Sequence, residues 1–432
     1  MRKRIRIRNR TDYEKIILGI FIVIFGEGIL SIFIPQIHPI YYLTDVLIII
    51  LFAGLLKKGI RNKHNNSYLG LFYFVLFLYS TLAIMGVIIN FSNIALHLWS
   101  FRGYFSTILF FVVCVSFEHS DKIDFVDKLM WINFIACIIE VVLGYRQDWV
   151  GGIYGVSGGQ VNGPLNVLLI IIFSRAIVQY LNKEVSTRRI LIVGVSSLMI
   201  ATFAELKIFY VEIVVIFLIA SLVTKFSFKK LALIIFGTIG ILVAVKVTLS
   251  IFPDMDRNMF TPSFMWNYLT NPGGYVGQFA YDAGDVNRLS FWDKCVALFD
   301  NKFELLFGFG IGNCDQIEVF GIKSDIYMLY EPMHYYMFPL PMILLQQGIT
   351  GMSLYIMLFV SLFVAVLKKY RSKDYFTKSQ MQMVLILCVM AFIITIYDTS
   401  LLGKGGYLFF YILSLPFINY TTQRKKEVGS ML

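Results

Sequence analysis

Charge is scarce in this 432-residue chain. Only 15% of its residues are Asp, Glu, Lys or Arg, where soluble domains carry about one quarter. With 58% hydrophobic residues and a mean hydropathy of +0.72, that shortage excludes a water-soluble enzyme and a disordered tail protein. Cysteine is scarce as well. The 5 cysteines form no CxxC pair and no histidine stands at ligand spacing, so neither a disulfide scaffold nor a metal site is indicated, and no cofactor is expected. Cys114, Cys137 and Cys388 lie in apolar runs and read as packing residues. Cys295 and Cys314 share a hydrophilic stretch, where a disulfide is open to them in an oxidising compartment. Internal repeats and low-complexity tracts are absent.

What the chain has in quantity is apolar runs. Twelve can be read, at 16–34, 41–57, 68–89, 101–117, 125–143, 162–181, 189–204, 206–224, 230–251, 342–367, 380–398 and 402–420. Most approach the ~20 residues that cross a bilayer as a helix. The fold expected is an all-α polytopic membrane protein of about 12 transmembrane helices with one large, partly helical outer loop. Residues 1–251 hold nine helices after a cytoplasmic N-terminus, 252–341 form the extracytoplasmic loop, and 342–432 hold three helices and a cytoplasmic C-terminus. The stretch 189–224 reads as two short spans meeting at Glu205–Lys207. The basic start MRKRIRIRNR precedes a long apolar run with no small-residue cleavage site, which reads as a retained cytoplasmic anchor.

The net charge of +11 would point to nucleic acid in a soluble protein. Here the bases gather in short loops, as the positive-inside rule arranges them, and no nucleic acid is expected. Alternating sides from a cytoplasmic N-terminus puts Lys57, Lys58, Arg188, Arg189, Lys368, Lys369 and Arg371 inside. The short outside loops near 35–40 and 90–100 hold no Lys or Arg.

Residues 252–341 are too polar to span and too long for a simple connector. Their aromatics, among them Trp266, Phe291 and Trp292, argue for order, and acids outnumber bases. A second outside loop, 145–163, is glycine-rich. Ionisable residues in or beside spans are costly, which makes them functional candidates. They are Glu27, Arg102, Glu140, Arg175, Glu205, Lys207, Glu212, Lys246, Asp398 and Lys404. Arg175 can snorkel to the cytoplasmic side, and Glu27, near mid-span, has no evident role. Arg102 opens the fourth run, Glu205 and Lys207 stand at an outer junction, and Asp398 and Lys404 flank the last outer turn. Helix capping and mutual pairing account for any one of them equally well. Their clustering on the side of the large loop points to a polar site at the outer membrane boundary.

Arginine's planar fork suits phosphate, so Arg102 and Arg288 are natural holders of a phosphorylated, lipid-anchored ligand. Aromatic faces in the loop, such as Trp292, can stack on sugar rings. Arg288 is expected to begin an amphipathic helix through Leu289, Trp292, Val296 and Phe299, with Asp285 as N-cap and first-turn amides favouring an anion. The run Gly308-Phe309-Gly310-Ile311-Gly312-Asn313 looks like a phosphate loop. It lacks the strand–turn–helix context of one and reads as a tight turn at the membrane surface. Glu331-Pro332-Met333-His334 follows, and a histidine is a side chain that can take a hydroxyl proton.

The Arg288-led segment, the glycine run 308–312 and a helix with Gln347-Gly348-Ile349-Thr350-Gly351 come in an order that resembles the O-antigen polymerase and O-antigen ligase superfamily, whose polymerases are called Wzy-type. The motifs cover about residues 285–355, and the spans with one large outer loop extend the likeness. The resemblance implies a metal-independent membrane glycosyltransferase at the outer face of a bacterial plasma (inner) membrane. Its substrate would be an oligosaccharide on undecaprenyl pyrophosphate, used to build O-antigen, capsule or exopolysaccharide. A chain-length regulator is a candidate partner beside the membrane lipid. The resemblance implies Arg288 and Lys207 as holders of the pyrophosphate, and Arg102 is similar to the family's Arg on an earlier span; Glu205 and Trp292 are further candidates for contact with the pyrophosphate or glycan. Ligases carry His-Asn shortly before the closing helix, where this chain has Met337-Phe338, with His334 one turn earlier. The general base is therefore open between His334, Glu331 and a group the motifs do not identify. The alternatives are an O-antigen ligase using lipid A-core, and a flippase for the same lipid-linked sugar.

Overall fold

The structure, a computed structural model, describes residues 12–58, 63–116, 124–156, 161–224, 286–373 and 377–418, with isolated positions between 237 and 266. Eleven of the twelve apolar runs coincide with a helix. These helices are α1 (Asp12–Ser31), α2 (Leu43–Lys58), α3 (Lys63–Ile89), α4 (Ile94–Ser116), α5 (Asp124–Val142), α6 (Asn162–Leu181), α7 (Thr187–Phe203) and α8 (Lys207–Val223). After the short helices α9 (Phe291–Val296), α10 (Lys302–Phe307) and α11 (Asp325–Tyr330) come α12 (Pro339–Arg371), α13 (Lys378–Tyr397) and α14 (Lys404–Ser414). The run 230–251 lies outside the described residues apart from single helical positions, as does Asp285.

The chain is an all-α membrane protein. Among the described residues, six stretches are long and apolar enough to cross a bilayer: Pro35–Lys57, Ser67–Ile89, Ile94–Ser116, Asn162–Leu181, Pro339–Arg371 and Lys378–Tyr397. The remaining helices fall short for physical reasons. α7 and α8 have 17 residues each and α14 has 11, while α1 and α5 carry charges near their ends. α14 stops short of the expected 402–420 because Pro416 cannot donate a helical hydrogen bond, and a 3-10 turn, Leu415–Phe417, follows. α7 and α8 do separate at Glu205, whose φ of 54° no helix accommodates.

Two local expectations are corrected. α4 starts at Ile94, with the Asn93 Oδ1 accepting from Ala95 N at 2.9 Å, so Arg102 sits two turns inside the helix instead of opening it. The helix expected from Arg288 begins only at Phe291 and runs 6 residues, with Arg288 in the preceding turn and Ser290 as N-cap. Its buried face is Phe291 and Cys295, while Leu289 and Trp292 are exposed.

Apolar burial selects the centre. Every residue of α14 is buried, packed between α4 and α6, and α6 and α13 enclose it. At one end of the bundle lie residues 286–338, held by their own small core of Val286, Phe291, Cys295, Cys314, Tyr327, Tyr335 and Phe338, which continues into Leu344 and Leu345 of α12. Gln316–Ile317 and Ile322–Lys323 pair there as a two-stranded antiparallel ribbon. The opposite end gathers the bases. There Asn182 bonds Ser379 and Gln382, the Tyr370 hydroxyl bonds Val223 O, Arg175 and Arg189 share Asp127, and Lys368, Lys369 and Arg371 close α12.

α12 is two helices joined at Gly348 (φ 66°, ψ −171°), a conformation essentially reserved for glycine. The carbonyls of Leu345 and Gln346 just before the break accept from Phe309 N (2.8 Å) and Gly310 N (2.9 Å), and Gln346 Oε1 accepts from Gly312 N (3.0 Å). The glycine run and the Gln-Gly-Ile-Thr-Gly helix are thus one unit: the loop fills the break. A Cβ on Gly348 would run into the backbone of Leu306 and Phe307. Gly348→Ala should therefore cost about 2–5 kcal/mol. Thermal unfolding in detergent checks this, and an unchanged midpoint would show that the break relaxes freely.

Candidate functional site

The turn between α13 and α14 is the hub of the loop end. Arg288 grips its start. The guanidinium Nε donates to Tyr397 O at 3.1 Å, and Cζ lies 4.3 Å from the Tyr397 ring centroid and 4.8 Å from that of Phe338. Next to it, Asp398 Oδ1 accepts from Ser400 N at 2.7 Å. Burial raises the Asp398 carboxyl above the ordinary carboxylate range, and the Ser400 bonds and the Arg288 charge oppose that only in part. Gly163 opens α6 against this turn because a Cβ there would meet Asp398 and Ser400. From α8, the buried Glu212 faces Asn166 and Asp398.

A group raised in the folded state favours folding in its protonated form, so its stabilisation is lost as pH rises through the folded value. Asp398→Asn keeps the oxygen that accepts from Ser400 and removes that loss. The midpoint of the variant should therefore gain on the wild type as pH rises above the ordinary carboxylate range. A difference that stays constant as pH rises would contradict the assignment.

A second cluster surrounds Arg102. Its Nη1 lies 3.1 Å from Asp45 Oδ2, while Ser106 Oγ donates to Asp45 Oδ1 at 3.2 Å. The guanidinium Cζ stands 4.1 Å from the Trp99 ring centroid and 4.9 Å from that of Tyr42. Its Nε, shielded from solvent, has no hydrogen-bond partner among the described residues. Asp315 bonds the Ser100 hydroxyl and accepts from Gln316 N at 2.8 Å. Burial raises its carboxyl, with Ser100, Gln316 and the Arg102 charge acting against that. Lys404, the first residue of α14, meets Glu27 Oε2 at 2.6 Å, and Glu27 Oε1 lies 3.2 Å from His38 Nδ1. Glu27 therefore has a partner in each direction and stands near the loop end of α1, not at its middle. The Lys404 ammonium is 5.4 Å from the Tyr41 ring centroid.

The other candidates spread further. Lys207 opens α8 and pairs with Glu205 Oε1 at 3.0 Å, both side chains nearly buried. Further along α8, Glu212 faces Asp398, which feels the Arg288 charge. Glu331 is engaged with Lys323 at 2.8 Å on an exposed surface. His334 adopts the left-handed conformation (φ 53°) between two 3-10 turns, its ring 6.1 Å from that of Tyr336. The Val286 N–H to Met333 O bond (3.0 Å) brings the backbone at His334 beside the segment leading to Arg288. Trp292 points away from the small core. Cys295 and Cys314 are buried, unbridged thiols, and burial pushes the Cys295 thiol up to about 12. Glu140 accepts from Gly152 N at 2.8 Å and so anchors the glycine-rich loop at Gly152.

The amides of Phe309, Gly310 and Gly312 are spent on α12, that of Gly308 on Glu304 O and that of Asn313 on Gly310 O, so these do not cradle a phosphate. His97 is spent too: Nδ1 meets Ile311 O and Nε2 accepts from Ser92 N at 3.1 Å. Sequence reasoning passed over His38 and Asp45. An acid in the first turn of a helix looks like a dipole partner, and a histidine in a short loop looks like solvated surface. Loop-end cations propped by acids and flanked by aromatics can bind a diphosphate beside a sugar. No protein-family model matches the chain, and no curated protein matches it.

Proposed function

We propose that the chain is a polysaccharide polymerase of the bacterial plasma (inner) membrane, with about twelve spans and its site on the outer face. It joins oligosaccharide repeat units carried on undecaprenyl pyrophosphate and releases undecaprenyl pyrophosphate. The observation that carries this reading is the placing of Arg288 and Arg102 at the loop end, each beside a carboxylate and over aromatic rings. A guanidinium has five donors in a fixed fork, so one that already holds an acid can still grip a phosphate.

In this mechanism the diphosphate of the growing chain lies against Arg288 and Arg102, with Lys207 assisting from α8. A hydroxyl of the incoming lipid-linked unit attacks the anomeric carbon, and a base takes its proton. The bond to the diphosphate breaks, and the cations stabilise the charge that develops on the leaving oxygen. A diphosphate is a good leaving group, so the chemistry does not demand a metal.

The test is reconstitution. Purified protein in liposomes, given the lipid-diphosphate-linked repeat unit of its host, should yield a ladder spaced by one repeat. No ladder would overturn the proposal. Transfer only to an added lipid A-core acceptor would replace it with a ligase.

A further inference from the structure

The motifs leave the proton acceptor of such a reaction open, and the loop end of the bundle offers one that no motif marks. His38 lies in the 3-10 turn Pro35–Tyr42 that enters α2. Its Nδ1 is 3.2 Å from Glu27 Oε1. An ionised carboxylate can only accept, so Nδ1 carries the proton and the neutral ring presents Nε2 as an acceptor. Glu27 is itself fixed: its side chain is fully buried and its second oxygen holds Lys404 at 2.6 Å. That ammonium balances the carboxylate charge. A carboxylate that sets the tautomer and direction of a histidine is the arrangement of a general base. The His38 side chain is 40% exposed, open to a substrate, whereas both ring nitrogens of His97 are occupied.

The neighbourhood suits a sugar next to a phosphate. The His38 ring is parallel to that of Tyr41 (6.4 Å, 9°) and meets Tyr42 edge-on at 6.2 Å. Arg102 stacks on the same Tyr42 ring at 4.9 Å, so the histidine and the guanidinium with its unpartnered Nε flank one aromatic side chain. The charged and titratable groups around the imidazole are Glu27 of α1, Lys404 of α14, Tyr41 and Tyr42 of its own turn, and Arg102 of α4 across Tyr42.

We propose that His38 is the general base of the glycosyl transfer, with Glu27 as its positioning residue. The inference rests on the polymerase reading above. The acceptor O–H proton passes to Nε2, and the oxygen lone pair forms the new bond to the anomeric carbon. The bond to the diphosphate oxygen breaks with its electron pair. The imidazolium then returns the proton to water.

The experiment compares wild type, His38→Gln and His334→Gln in the liposome reaction across pH, under conditions where the wild type makes its ladder. A glutamine at 38 can still donate to Glu27, which protects the fold. His38→Gln should lower kcat by about 100-fold or more and abolish the fall in rate at acid pH, with KM for the lipid diphosphate unchanged. Imidazole added to His38→Ala should restore part of the rate. His334→Gln should keep the acid limb. Wild-type rate and an intact acid limb in His38→Gln would overturn the assignment, as would their loss in His334→Gln alone. A wild type that makes no ladder would overturn the polymerase reading itself, a separate outcome.

Discussion

Replacing Arg288 with alanine should abolish the ladder, with kcat/KM falling by about 100- to 1000-fold, the range for removing one well-placed donor to a developing anion. The structural cost should be small by comparison. The bond from Nε to Tyr397 O is lost, worth about 1 kcal/mol. Asp398 also loses the cation that partly offsets its burial, so its carboxyl moves higher still. Arg288→Lys should recover the charge but not the fork, leaving activity between the two. Rates under saturating and limiting substrate, beside a thermal melt of each variant, separate the effects. An alanine variant with full ladder length and yield would remove Arg288 from the site.

The largest change in stability should come from Lys404→Met. It would leave Glu27, whose side chain is fully buried, without the ammonium 2.6 Å away, and only His38 on its other oxygen. Breaking a buried pair from one side costs about 3–5 kcal/mol, because the remaining charge is uncompensated. The double variant Glu27→Gln/Lys404→Met should regain much of that loss, since the desolvation cost disappears with both charges. Unfolding of the two single variants and the double variant in one detergent measures the coupling. If the single losses simply add, the two residues do not form the pair described.

The helices were legible because their signal is local: an apolar run of sufficient length has one stable form in a bilayer. The break between α7 and α8 was legible for the same reason, since Glu205 and Lys207 interrupt a run that would otherwise read as continuous. The first two turns of α4 were hidden, because His97 and Ser100 make 94–100 look like a polar loop until their partners in 311–315 are seen. The cations of the site could be picked out singly, since each is expensive where it stands. Their partners could not. Asp45 is 57 residues from Arg102 and Glu27 is 377 from Lys404, and only helix packing brings them together. The glycine run and Gly348 were each visible as motifs, yet their docking depends on a break in α12 that apolar periodicity passes over without a mark.

A polymerase must release its lipid carrier in step with chain growth, and the stoichiometry of product release measures this. Liposomes holding the protein would receive the repeat unit on radiolabelled undecaprenyl pyrophosphate, with linkages counted from the ladder and free undecaprenyl pyrophosphate counted by chromatography. One lipid diphosphate should be released for each linkage formed, in step at every time point. Movement of the intact lipid-linked unit across the bilayer with no release would contradict it and make the protein a transporter.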